Sequence, residues 1–302
     1  MKILITGSSG LVGTELVRAL AREGHTACCL VRPQSKAKSE VPGGFKVSWD
    51  PTAGELGEAT VGADAAVNLA GASIADGRWT AERKALLRAS RIDTTQALVN
   101  AVAKMNVRPK VLVSASAIGV YGDRGDELLT EEGRAGTDFL AGLAKEWEAE
   151  ALKAEALGIR VVLARFGIIL AREGGALPKM MMPFKFGAGG RIGNGKQWMS
   201  WVTLEDVIGI LKFALQNSSV RGAVNVVAPG AVQNAEFTKV LAKTMHRPAL
   251  FPAPAFGLRI ALGEMADALL LSSQRVVPQR LQQLGYSFLF PDLPRALSAV
   301  LG

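Results

Sequence analysis

The feature that most restricts this chain is a run of three spaced glycines, Gly7-Ser8-Ser9-Gly10-Leu11-Val12-Gly13. It lies directly after a short apolar stretch, Lys2–Thr6, and opens an amphipathic pattern over residues 12–22. A Gly-x-x-Gly-x-x-Gly spacing is weak by itself, but between a strand and a helix it predicts the first turn of a dinucleotide-binding βαβ unit. Gly7 permits the tight turn. Gly10 lets the backbone N–H groups around Ser8, Ser9, Leu11 and Val12 approach a pyrophosphate, and Gly13 permits close packing of helix on sheet. The pyrophosphate then rests at the positive end of the helix. The competing reading is a glycine-rich βα turn that holds no ligand.

The same alternation continues down the first half. Apolar runs at 26–31, 46–49, 65–69, 110–114 and 160–164 are separated by loops and by helical patterns at 81–105 and 139–157. Such a chain predicts the α/β class, a Rossmann-like doubly wound parallel sheet with helices on both faces. A length of 302 residues suits one large α/β domain or a main domain with an appendage. Residues 1–170 read as the nucleotide-binding domain, and 171–302 as a smaller, interwoven α+β substrate side with a helical end. In that second part Asn194-Gly195 signals a hairpin, Thr203 with Asp206 a capped helix start, and 223–227 a strand. Asn234 is the expected N-cap of a helix through Met245, and 256–271, 279–284 and 294–301 form a helical end-piece.

Composition narrows the classes of function. Hydrophobic residues at 49% and charged residues at 21% are ordinary globular usage, which excludes disordered and fibrous chains. The start Met1–Thr6 is too short for a signal-peptide core, and the apolar stretches at 111–120 and 261–271 are interrupted before the ~18 residues of a membrane span. The expectation is a cytoplasmic protein with no membrane partner. Cys28 and Cys29 are adjacent on an expected strand, so they point to opposite faces and read as reduced, buried thiols. A net charge of +8 and a pI near 9.7 favour an anionic partner, such as a nucleotide or a phosphorylated substrate. Nucleic acid is a minor reading, since no basic tract is interleaved with aromatics, and two cysteines with His25 and His246 give no zinc-finger spacing. No metal site is legible, and the oligomeric state is open.

Cofactor choice follows from the end of the second strand. Where NAD-specific proteins offer a carboxylate to the ribose hydroxyls, this chain has Arg32. A guanidinium attracts a 2′-phosphate and accepts nothing from a hydroxyl, so NADP(H) is preferred over NAD(H). Lys36 and Lys38 read as ordinary solvated lysines.

Further motifs are Asn68-Leu69-Ala70-Gly71, Ser90-Arg91-Ile92-Asp93-Thr94-Thr95, the run Ser114-Ala115-Ser116 through Tyr121-Gly122, the run Gly189-Gly190-Arg191 through Trp201, and His246-Arg247-Pro248. With them the chain resembles the extended short-chain dehydrogenase/reductase superfamily, the NAD-dependent epimerases and dehydratases. The likeness is closest to its branch of epimerase-family proteins with a short uncharacterised C-terminal domain. The resemblance implies that Leu69, Ala70 and Gly71 line the cofactor and that Arg91 reaches it, with Ser114, Ala115, Lys145 and Ile168 alongside. Lys84, Arg88 and Arg91 also share one helical stripe by their spacing, although a solvated face explains the first two equally well.

Reactive members use a Ser or Thr, a Tyr, and a Lys four residues after the Tyr, with the Tyr exchanging a proton with the substrate. Ser116 matches the first, with a hydroxyl satisfying a strand end as its alternative. The Tyr-Lys pair is missing: the only tyrosines are Tyr121 and Tyr286, and if Lys145 stands for the lysine, Ala141 stands for the tyrosine. Three readings stay open. Tyr121 substitutes from the neighbouring loop; Asp123, Lys145 or Lys185 acts; or the chain binds NADP(H) as a non-catalytic regulatory or interaction protein. Ligands gather beyond the carboxyl ends of the strands, so residues 116–122 and 167–170 face the nicotinamide, and Gln197, Trp198 and Trp201 close the pocket on a small, sugar-like substrate. Met180, Met181 and Met182 read as core packing rather than lining.

Overall fold

Seven strands, the inner ones apolar on both faces, pair side by side in parallel: β1 (Lys2–Thr6), β2 (Thr26–Val31), β3 (Gly44–Ser48), β4 (Ala65–Asn68), β5 (Val111–Ala117), β6 (Arg160–Phe166) and β7 (Gly222–Val226). The computed structural model describes residues 1–33, 43–52 and 54–302, so Lys36 and Lys38 lie outside the described residues. The order is β7-β6-β5-β4-β1-β2-β3, and the chain winds outward in both directions from β1, which leaves a crevice where the direction reverses. The sheet is therefore the doubly wound one expected from the alternation. Its edge strand β7, however, comes from beyond residue 170, after an excursion through the substrate side.

Helices cover both faces. On one, α1 (Leu11–Arg22) packs against α6 (Leu204–Gln216), burying Leu16, Leu20, Val207 and Leu211 on Ile3, Ile5 and Val113. On the other, α3 (Ile92–Ala103) and α4 (Phe139–Leu152) bury Leu98, Val102 and Ala151 on Leu4, Leu112 and Val161. Cys29 belongs to the first core and Cys28 to the second, so the adjacent thiols do face opposite ways, and burial raises the pKa of each. Thr203 caps α6 as its spacing predicts, its Oγ1 accepting from the Asp206 N–H at 3.1 Å.

Three local expectations are corrected. The helix expected over 81–105 is two, α2 (Ala81–Ala89) and α3, because Ser90 Oγ and the Arg91 guanidinium both donate to the Leu87 carbonyl and break the ladder there. Asn194-Gly195 makes a turn but no hairpin: Trp198–Met199 pairs antiparallel with the remote Val232–Gln233. Asn234 is the first residue of α7 (Asn234–Thr244) rather than its cap, and its Oδ1 accepts from the Ile192 N–H at 2.8 Å.

The remaining elements form a lobe over the carboxyl edge of the sheet. α5 (Leu177–Lys185), α7 and the terminal helix enclose Leu177, Phe184, Phe237 and Leu241, with Met180 and Met181 packed against them. α8 (Ala255–Leu262) follows, and none of its eight residues is buried. Gly263, at φ +62, ends it within the expected 256–271 helix. The terminal helix, α9 (Leu293–Leu301), is capped by the Asp292 side chain. Among the described residues no helix is long and apolar enough to cross a membrane.

Candidate functional site

The glycine turn occupies the crevice at the end of β1. Gly7 has φ +68, and a Cβ on it would lie 2.5 Å from the Leu69 carbonyl oxygen; a Cβ on Gly13 would lie 2.2 Å from Gly7 O. Those two glycines are fixed by protein packing. Gly10 is different: a Cβ there meets only Gly7 O, at 3.3 Å, and otherwise enters open space before the first turn of α1. That turn has no side-chain cap and no acidic residue, so its first N–H groups are left for an outside acceptor. Ser8 is buried, Ser9 exposed, and Leu11 and Val12 half-buried, with Gly174 and Gly175 lying over the Leu11 side chain. Arg32 follows the last residue of β2 and is exposed.

A polar row runs along the carboxyl ends of the strands because parallel register puts Thr6 beside Asn68 and Asn68 beside Ser114. Thr6 Oγ1 donates to Asn68 Oδ1 at 2.6 Å, and Asn68 Nδ2 donates to Thr95 at 2.7 Å and to Ser114 at 3.2 Å. Ser114 and Asn68 are fully buried, so they form the floor beneath Leu69, Ala70 and Gly71, while Ala115 is buried on the opposite face. Arg91, at the break between α2 and α3, donates to Ala72 O at 3.0 Å and lies over the Trp147 ring at 5.3 Å, with its guanidinium against Gly71. It makes no ion pair among the described residues, and burial, reinforced by Arg83, lowers its pKa to about 10. An open approach at Gly10 and a half-buried cation without an ion pair among the described residues suit a dinucleotide phosphate.

Further along the sheet, register aligns Ser116 with Arg165 and Arg165 with Asn225. Arg165 clamps Glu148 of α4 with two hydrogen bonds of 2.8 Å, and Ser116 Oγ donates to the same carboxylate at 2.6 Å. Arg165 also donates to the Tyr121 hydroxyl, which donates on to Asn225 Oδ1 at 2.7 Å. Tyr121 is fully buried, and that burial raises its pKa, partly opposed by Arg165. Of the three readings left open by the sequence, the one in which Tyr121 supplies the proton is therefore corrected: its hydroxyl is spent inside the protein. Ser116 keeps its place at the strand end, 2% exposed, oriented by Glu148.

The α4 assignment also changes. Ala141 is fully buried, and Lys145 is exposed on the helix surface beside Ala149 and Leu152. Leu140 of α4 lies against Gly119 and, with Phe139 of the same helix, lines a cavity of about 300 Å³. Trp79 and Phe139, edge to face at 5.3 Å, form one wall; Arg259, Glu264 and Asp267 from the C-terminal lobe form the other, with Asp123 and Asp138 between. Glu264 pairs with Lys84 and Asp267 with Arg259, while Asp138 caps α4. Asp123 Oδ1 accepts from the Ser273 and Gly125 N–H groups. Lys185, at the end of α5, is exposed. Trp201 is a correction: it is fully buried and donates to Gly230 O, so it packs the lobe and cannot touch a ligand. Gln197 bridges Ile192 O and Leu270 O, and Trp198 donates to Asp126 beneath Arg275, so neither lines the cavity. Ile168 is half-buried on the short strand Ile168–Leu170, which pairs with Trp201–Thr203.

Sequence reasoning missed Glu148 and Arg165. A signal existed for the first, since Glu148 shares a helical face with Ala141, Ala144 and Ala151 where the neighbouring Glu146 and Glu150 do not. Arg165 needed the register of three strands.

The sequence profile of the NAD dependent epimerase/dehydratase family matches residues 3–227, and a domain of unknown function, DUF1731, matches residues 253–300. The chain belongs to the NAD-dependent epimerase/dehydratase family. It is 41% identical over 297 residues to an epimerase family protein of Mycobacterium leprae, covering 98% of this chain and 94% of that protein. Among solved structures it is similar to human epimerase family protein SDR39U1 (isoform 2) with NADPH, at 33% identity and a TM-score of 0.88, covering 99% of both chains. It is also similar to a nucleoside-diphosphate sugar epimerase from Corynebacterium glutamicum, at 36% identity and a TM-score of 0.80, covering 100% of this chain and 58% of that one.

Proposed function

We propose that this chain is an NADP(H)-dependent oxidoreductase or epimerase-like enzyme that takes NADP(H) in preference to NAD(H) and acts on a small substrate held in the cavity beside Leu140. The observation that carries the reading is the open cradle at Gly10 with Arg32 at the end of β2, and the human relative crystallised with NADPH supports it. The α1 N-terminus and the amides around Gly10 hold the pyrophosphate, Arg32 takes the 2′-phosphate, and Leu69, Ala70, Gly71 and Arg91 flank the remainder. When bound, the nicotinamide supplies or accepts a hydride. Asp123 in the cavity wall is a carboxylate placed to exchange a proton with a substrate hydroxyl, whereas Ser116, nearly fully buried and donating a hydrogen bond to Glu148, does not line the cavity.

A second reading, NADP(H) binding without turnover, is favoured by one observation: of the two tyrosines, Tyr121 is buried in the Arg165 row and Tyr286 packs between Phe213 and Phe288. Calorimetry tests the cofactor reading. NADPH is expected to bind roughly tenfold or more tightly than NADH, the worth of one charge-assisted phosphate contact, and Arg32→Asp to remove the difference. Equal affinities in the unmutated protein overturn it. Incubation with NADPH or NADP and a panel of carbonyl compounds, alcohols and nucleotide sugars then separates the two readings, with Asp123→Asn expected to abolish turnover if the enzyme reading holds.

A further inference from the structure

Six of the exposed large apolar side chains lie on three segments that run together in the C-terminal lobe. Met182 and Phe186 end α5, Leu250 and Phe251 precede α8, and Phe256 and Ile260 belong to it. Backbone bonds join the segments: Phe251 N–H donates to Gly189 O, Ala253 N–H to Arg191 O, and Ile192 bridges to Ala253. Phe186 is 78% exposed and Ile260 71%, although a soluble chain gains by turning such residues inward. α8, with the sequence AFGLRIAL and no buried residue, stands on the protein with its apolar side unpartnered.

The segments that carry this face hold no acidic residue, although Asp76, Glu264 and Asp267 lie nearby in ion pairs. Segments 177–197 and 243–262 contain no Asp or Glu. Of their cations, Lys179 pairs with Asp76 and Arg259 with Asp267, while Lys185, Arg191 and Arg247 are exposed and make no ion pair among the described residues. A second copy of the chain, docked symmetrically through the same face, would set these cations against themselves in a protein that already carries a net charge of +8. The complement of exposed phenylalanines and aliphatics set among unpaired lysines and arginines is an interface apolar within and negative at its surface.

We propose that the face formed by α8 and the adjoining ends of α5 and the 250–251 loop seats on an anionic lipid bilayer, its apolar side chains entering the headgroup boundary and Lys185, Arg191 and Arg247 meeting lipid phosphates. No spanning helix is needed for this. The attachment is peripheral and electrostatic in part, so it is salt-sensitive.

The test is co-sedimentation of the full chain with vesicles of phosphatidylcholine alone and of phosphatidylcholine with phosphatidylglycerol. Binding is expected only to the anionic vesicles, weakened severalfold when salt is raised from about 0.1 M to about 0.5 M. Phe256→Ser with Ile260→Ser should reduce it roughly tenfold or more, since two exposed apolar anchors are lost. Neither residue is buried, so unchanged NADPH affinity and melting temperature in this variant certify the fold. Light scattering is run in parallel. No sedimentation with anionic vesicles overturns the proposal, as does equal binding to neutral vesicles. A dimer that the double variant converts to monomer, with no vesicle binding, overturns it in favour of a second copy.

Discussion

Replacing Glu148 tests the polar row beneath the crevice most directly. Its side chain and that of Arg165 are only 10% and 11% exposed, and the pair holds Ser116 and Tyr121 in place. Removing one member of a buried ion pair leaves an uncompensated charge and costs about 3–5 kcal/mol. Glu148→Gln keeps the volume and one acceptor oxygen, so it belongs near the lower end, and Glu148→Ala near the upper. With an unfolding entropy of ~2.1 cal/mol/K per residue over 302 residues, those losses correspond to a fall in melting temperature of about 5 °C and about 8 °C. Thermal unfolding followed by circular dichroism measures both. Joint replacement of Glu148 by Leu and Arg165 by Met removes both charges and should recover roughly half of the loss. A change under about 1.5 °C in both single variants would refute the reasoning, because it would mean that the Arg165 guanidinium is solvated in the native state.

Gly10→Val should leave the melting temperature of the ligand-free protein within about 2 °C, since its side chain enters open space, while abolishing NADPH binding in calorimetry. Retained affinity would displace the phosphate from this turn. Burial raises both phenols above the ordinary tyrosine value near 10, so the native state favours the protonated forms. Unfolding free energy should accordingly stay level below about pH 10 and fall as pH climbs above it, with phenolate absorbance appearing only as the protein unfolds; gradual phenolate formation in the folded protein below pH ~10 would contradict this. Ala141→Tyr should destabilise by about 1–3 kcal/mol or more through overpacking and yield no turnover. Leu140→Tyr, which directs the phenol into the cavity from a half-buried position, is the variant expected to leave stability nearly intact and raise any turnover; a stable, well-folded Ala141→Tyr protein would reverse that assignment.

What could be read from the sequence was what is local. Gly7, Gly10 and Gly13 act within one turn and its neighbouring helix, and Thr203 with Asp206 within one helical turn, so spacing alone identifies them. The parallel sheet is legible because strands covered on both sides lack alternation, as in β4, where all four residues are buried. Partnership across the chain was not legible. Tyr121 reads as a proton donor until its partners Arg165 and Asn225, 44 and 104 residues away, are known. Trp198 reads as half of a hairpin because Asn194-Gly195 precedes it, whereas its strand partner is Gln233. The 81–105 pattern is helical throughout, and the break appears only where Ser90 and Arg91 turn back to the Leu87 carbonyl and reach Ala72. The cavity draws its walls from residues 79, 123, 138–140 and 259–272, an assembly that no window of sequence contains.

The late arrival of β7 has a consequence for biosynthesis. When residue 170 has left the ribosome, six of the seven strands exist, yet β6 still presents an open parallel edge and Arg165 lacks the Asn225 backbone that will lie beside it. Helix α6, which covers half of one face, is also still to come. The nascent nucleotide domain is thus committed to wait for some fifty further residues, including the excursion through α5, before its sheet can close. An unpaired edge of that kind is the standard template for association with another chain. Slow translation between residues 170 and 226, or a truncation in that interval, would therefore favour aggregation over misreading of the cofactor, and the interval is where a chaperone holding the nascent chain would matter most.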